Sequence, residues 1–161
     1  MISLFAIISL SILIISITIL VLHFKLLKLR GEVDDNFSAL DILLRDRLDI
    51  LFEIGQESPE GQALCTLCED YDNSPTIKIL KALPELKNQF KSIINSDEGK
   101  KNLEENEQEI ELTIETYNKS IIKFNAHISI FPGIVMACLV GLKQEKPVEL
   151  SGYEPLTSLP S

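Results

Sequence analysis

Apolar side chains are distributed along this chain in three ways. The first is continuous: Ile2 to Leu22 contains no charged residue, no Gly and no Pro. At about 1.5 Å per residue a helix of that length reaches roughly 32 Å, enough to cross a hydrocarbon core of about 30 Å. The second is periodic. From Gly31 to Ile54 the apolar positions are Val33, Phe37, Leu40, Leu44, Leu48, Leu51 and Ile54. Intervals of three and four mark one face of a helix. No Pro separates this run from the first segment, so a nearly continuous helix is predicted through both, ending at Gly55. Ser58-Pro59 reads as a helix start, predicting a short helix through Cys65 and Cys68 to about Tyr71. Asp72, Asn73 and Ser74-Pro75 form the next break. Thr76 to Asn95 carries Ile77, Leu80, Leu83, Leu86, Phe90, Ile93 and Ile94, with a kink or restart predicted at Pro84. Ser96-Asp97-Glu98 starts the clearest helix. Its Ile110, Ile114, Tyr117, Ile121, Phe124, Ile128 and Phe131 alternate intervals of four and three, a coiled-coil-like heptad seam. All seven are expected to face the interior. The helix stops at Pro132-Gly133, and a short apolar helix, Ile134 to Leu142, follows. The third part is a polar tail holding Pro147, Pro155 and Pro160.

No segment alternates with period two over a useful length. The expected fold is all-α, an N-terminal transmembrane helix followed by an antiparallel helical bundle. The expected divisions are an anchor at 1–22, a basic juxtamembrane segment at 23–30, a bundle domain at 31–146 and a flexible tail at 147–161.

Composition sharpens the anchor. Eight Ile, five Leu, Phe5 and Val21 favour insertion by about 5–9 kcal/mol on a scale of roughly 0.3–0.6 kcal/mol each. The hydroxyls of Ser3, Ser9, Ser11, Ser16 and Thr18 subtract from this, but in a helix they can bond back to the carbonyl one turn earlier. A cleaved leader would have a basic start, a shorter apolar run and a small-residue cleavage site; here Lys25, Lys28 and Arg30 follow instead. Basic residues flanking a span stay on the cytoplasmic side. The expectation is a single-pass protein of the cell (plasma or inner) membrane, its N-terminus outside and its C-terminal domain cytoplasmic. The lipid bilayer is thus its first expected partner.

Charge excludes one class of function. The whole chain carries −9, but from Gly31 onward twelve basic residues face all 24 acidic ones, a net of −12. Such a domain repels phosphate backbones, so no nucleic-acid partner is expected.

Candidate chemistry is sparse. Cys65-x-x-Cys68 places two sulfurs on one helix face, the spacing of a redox pair or half a metal site. There is no second such pair to complete a zinc site, and no βαβ context for a thioredoxin-like one. His127 is a lone imidazole. The acidic run Glu104, Glu105, Glu107, Glu109, Glu111 and Glu115 reads as the solvated face of its helix. Asn118 and Asn125 each follow a seam aromatic and are expected at the edge of the core. No nucleophile elbow, phosphate loop or HExxH occurs. No catalytic residue, cofactor or metal is therefore assigned, and the chain is not expected to be an enzyme.

Several of these residues together resemble the signature of the LemA family. Glu107-x-x-Ile110, Tyr117-Asn118, Phe124-Asn125 and Phe131-Pro132 follow its order and spacing. Pro84-Glu85-Leu86-Lys87, with Phe90 after it, resembles the family's P-x-L-K and following aromatic. Arg47-Leu48-Asp49-Ile50 resembles its R-x-D-L, and the N-terminal anchor also matches. Asp46, Phe52, Glu53 and Ile114 depart from the pattern, and the aromatic pair expected near Val148 is missing. The resemblance implies a membrane-anchored helical bundle without established catalysis. It singles out Arg47, Asp49, Glu107, Tyr117, Asn118, Phe124, Asn125 and Pro132 as structural or interaction positions.

Two functional readings remain open from sequence. One is a non-catalytic interaction or scaffold module with an unidentified protein partner. The other is a membrane-tethered redox or metal-binding protein using Cys65 and Cys68. The seam and the anchor also offer surfaces for a homo-oligomer.

Overall fold

A computed structural model describes residues 2–56, 61–90 and 97–148. The helix starts predicted at Ser58-Pro59 and Ser96, the side chain of Phe90, Ile93, Ile94, and Pro155 and Pro160 of the tail lie outside the described residues. Among those described there are five helices and no strand: α1 (Ile2–Gln56), α2 (Gln62–Asp72), α3 (Thr76–Phe90), α4 (Asp97–Ser129) and α5 (Gly133–Val140). The predicted all-α class is what the structure has.

Helix α1 is one uninterrupted helix of 55 residues, about 82 Å long. Gly31 lies within it. Every residue from Leu4 to Val21 is exposed, and the helix is long and apolar enough to cross a membrane. Among the described side chains, three of the five hydroxyls bond backward as expected, Ser11 to Ile7 O (2.9 Å), Ser16 to Ile12 O (2.8 Å) and Thr18 to Ile14 O (2.9 Å). Without water in a bilayer to compete, such bonds remove most of the hydroxyl's cost.

The chain divides into two compact units, to both of which α1 and α4 contribute. The first takes in Met1–Asp35 and Asn118–Pro147. Here Leu26, Leu29 and Val33 of α1 are buried with Ile121, Phe124 and Ile128 of α4 and with Met136 and Ala137 of α5. The two long helices run antiparallel. Arg30 lies 5.9 Å over the Phe124 ring, and Lys123 pairs with Glu32 at 2.7 Å.

The second unit is built on Asn36–Tyr117. Leu40, Leu44, Leu48 and Leu51 of α1, Leu64 and Cys68 of α2, Ile79, Leu80, Leu83 and Leu86 of α3, and Leu103, Ile110 and Ile114 of α4 form its core. α1 and α4 are antiparallel here too: the rings of Phe37 and Tyr117 sit 5.6 Å apart, while Asn106 donates to Leu43 O. Two glycines let α1 and α2 close up. A Cβ on Gly61 would stand 2.1 Å from the Gly55 carbonyl oxygen, and one on Gly55 would stand 2.8 Å from Cys65 Sγ. The start of α3 is fastened by Thr76 Oγ1, which donates to Asp41 Oδ1 at 2.6 Å. This bond holds the Asp41 carboxyl below its ordinary range, with Arg45 adding to the effect.

Four details depart from the sequence reading. Phe131 was placed on the seam but is 78% exposed. The helix ends at Ser129, so the heptad phase no longer governs residue 131. Ile77 is 42% exposed while Ile79 is fully buried, because Ile77 belongs to the first turn of α3 and points off the packed face. At Pro84 the helix neither stops nor restarts. Helix α5 is shorter than predicted at its far end. Gly141 closes it at φ 74°, and Leu142 N donates back to Ala137 O at 2.9 Å, a glycine-dependent helix stop.

Candidate functional site

Three residues of the second unit occupy positions that helical periodicity assigns to leucine. Arg47 stands on the stripe of Leu40, Leu44, Leu48 and Leu51, Lys87 on that of Leu80 and Leu83, and Glu107 between Leu103 and Ile110. Each is carried inward by its helix, and all three meet. Lys87 Nζ lies 3.4 Å from Glu107 Oε1, and Arg47 Nη2 lies 3.8 Å from Glu107 Oε2. Arg47 Nη1 donates to the Leu103 carbonyl at 3.1 Å. Relative exposures are 2% for Arg47, 7% for Lys87 and 3% for Glu107, so the centre is closed to solvent. Next to Glu107 on α4, Asn106 is also buried. Its Nδ2 donates to Leu43 O at 3.2 Å, and its Oδ1 has no hydrogen-bond partner among the described residues.

A carboxylate clamped by two cations inside three helices has an architectural chemistry. Buried charge is tolerated only when paired and hydrogen-bonded, so the centre favours the one arrangement that brings α1, α3 and α4 together. It offers no exposed nucleophile or base. Glu107 therefore leaves the solvated acidic face to which it was assigned, whereas Glu104, Glu105, Glu109 and Glu115 are exposed.

The remaining singled-out residues are dispersed. Asp49 is exposed, five residues after Leu44 and away from the charge centre's stripe. Tyr117 is buried against Phe37. In the first unit Asn118 is half-buried and Phe124 wholly buried. Asn125 clasps the chain beyond α5: its Nδ2 donates to Glu145 O at 2.7 Å, and its Oδ1 accepts from Glu145 N at 3.0 Å. Glu145 itself binds Arg30, whose pKa is raised chiefly by that hydrogen bond. Pro132 precedes α5 at its N-cap. There Gly133 is required, because a Cβ on it would stand 1.9 Å from the His127 carbonyl oxygen.

Sequence reading passed over Lys87 as a site residue and Asn106 altogether. Lys87 could have been found from its phase, since it lies seven residues after Leu80 and four after Leu83. Asn106 carries the same kind of signal, three residues after Leu103 and four before Ile110.

The two cysteines of the C-x-x-C are free thiols. Cys65 Sγ donates to Phe52 O at 3.5 Å. Burial pushes the Cys68 thiol up to about 12, with the neighbouring Cys65 and Asp49 adding to it. A reactive thiol needs the opposite shift. Among the described residues no group of three or more His, Cys, Asp or Glu side chains is gathered as metal ligands would be.

The sequence profile of the LemA family matches residues 60–157, more than half the chain. No curated protein and no solved structure matches it.

Proposed function

The chain belongs to the LemA family, and from that premise we propose that it is a single-pass membrane protein whose helical part is a non-catalytic interaction or scaffold module. The carrying observation is the burial of Arg47, Lys87 and Glu107. These three charged residues of the family-like motifs are engaged with each other, beyond the reach of a substrate. What remains outside is an acidic surface on a packed framework, suited to a partner that is itself a macromolecule. The exposed apolar stretch Leu4 to Val21 and the cations after it support the anchor, with the bulk of the chain on the cytoplasmic side. The raised Cys68 thiol argues against the redox alternative.

The test is photo-crosslinking in the native membrane from Leu112, which is 64% exposed on α4. A recurrent protein adduct is expected. A cysteine introduced at the exposed Glu109 should resist an impermeant thiol reagent until the membrane is opened. Labelling on intact cells would refute the orientation. Turnover dependent on Cys65 or Cys68 would refute the non-catalytic reading.

A further inference from the structure

In the first unit the end of α4 lies beside the last turn of the apolar stretch of α1. Leu22, Lys25 and Leu26 line one side of a cavity of about 300 Å³, and Ala126, His127 and the 130–133 corner line the other. At that level the chain turns by 98° into α5. Since α4 runs antiparallel to α1 within this unit, α5 lies crosswise to α1.

The corner is strongly apolar on its outside. Phe131 is 78% exposed and Leu139 75%, and Ile130, Ile134, Val135 and Val140 are all 46% exposed or more. Only Met136 and Ala137 among the large or small apolar residues of α5 face the protein. An eight-residue helix is far too short to span a bilayer, yet it has no polar face to turn to water.

We infer that the α4–α5 corner is a second membrane contact, with α5 lying in the interface of the bilayer that α1 crosses. The inference rests on the anchor reading, and three observations carry it. The patch adjoins the point where the apolar stretch ends, which is the depth of the membrane surface. The crosswise direction of α5 is parallel to that surface when α1 runs along its normal. The exposed cations here, Lys25, Lys28 and Lys143, suit anionic headgroups, whereas Glu32 and Glu145 are engaged by Lys123 and Arg30. Interfacial helices bury an apolar face at the boundary of headgroups and acyl chains, with basic residues beside it.

The chain contains no Trp, so one introduced residue is an unambiguous reporter. Full-length Ile14→Trp and Leu139→Trp are reconstituted in phosphatidylcholine–phosphatidylglycerol vesicles, with lipids brominated either near the headgroup or near the end of the acyl chain. Phe131→Trp is a second corner probe, and circular dichroism checks that each variant keeps its helicity. Expected is quenching at Ile14→Trp by the deep label and at Leu139→Trp and Phe131→Trp by the shallow one. Quenching at Ile14→Trp with none at either corner probe overturns the corner contact and leaves the anchor standing. Corner probes that are blue-shifted but unquenched overturn it likewise, because protein rather than lipid then covers the patch. Absence of quenching at all three positions overturns the anchor reading itself.

Discussion

Replacing Glu107 by Gln removes one charge and almost no volume, so it isolates the electrostatic part of the buried centre. Lys87 Nζ at 3.4 Å and Arg47 Nη2 at 3.8 Å both face that carboxylate. A pair of unit charges at about 4 Å is worth roughly 4 kcal/mol at an effective dielectric of about 20. Two such pairs are offset by the cost of desolvating three ions. Removing one partner of a buried pair leaves that cost in place without the attraction, which destabilises by about 3–5 kcal/mol. Glu107→Gln is therefore expected to cost about 3–5 kcal/mol, a large share of a domain's total of about 5–15 kcal/mol. The assay is urea unfolding of the full chain in detergent micelles, followed by far-ultraviolet circular dichroism. The triple variant Arg47→Met, Lys87→Met, Glu107→Leu should recover most of the loss, since apolar replacement of a whole buried network is often neutral or stabilising. A cost below about 1 kcal/mol for Glu107→Gln, the level of an exposed pair, would refute the claim that this centre organises the three helices. A triple variant as poor as the single one would refute the electrostatic account.

Phe124 is wholly buried, so Phe124→Ala should cost about 3–5 kcal/mol in the same assay; Lys123→Ala, which loses only an exposed pair with Glu32, should cost at most about 1 kcal/mol. Gly133→Ala should destabilise by about 1–3 kcal/mol, because the new Cβ forces α5 away from the His127 carbonyl; an unchanged unfolding midpoint would contradict that close approach. Acid should also weaken the fold. Asp41 is held low by the Thr76 hydroxyl and Glu32 by Lys123, so each contributes stability above its unfolded pKa that is lost as the pH falls through the depressed folded value. Asp41→Asn should flatten the acid limb of a stability–pH profile, and an unaltered limb would refute the assignment.

The features legible in sequence were those that repeat along one helix. The stripe Leu40, Leu44, Leu48 and Leu51 and the seam from Ile110 to Ile128 both went to the core, because burial follows helical phase. Phe131 failed because a helix end resets that phase, and nothing in the heptad itself reports where the end falls. The family-like motifs pointed to Arg47 and Glu107 separately. Their meeting with Lys87 was not legible, since it depends on how three helices pack and no local spacing encodes that. Glu107 also sits among acidic residues that are solvated, and only its phase with Leu103 and Ile110 separates it from them. The apolar corner was read as one more short helix. Its exposure emerges only once Gly133, Met136 and Ala137 are seen to be the buried residues of α5.

The unbroken course of α1 has a mechanical consequence. From Val21, the last exposed residue of the apolar stretch, to Val33 the helix advances about 18 Å without a joint. Torsion in a continuous helix is stiff, so the helices packed on that stretch cannot swivel independently of the apolar run that precedes it. A chain with a flexible tether would let the packed helices turn freely about the apolar run, whereas here the two can turn only as one body.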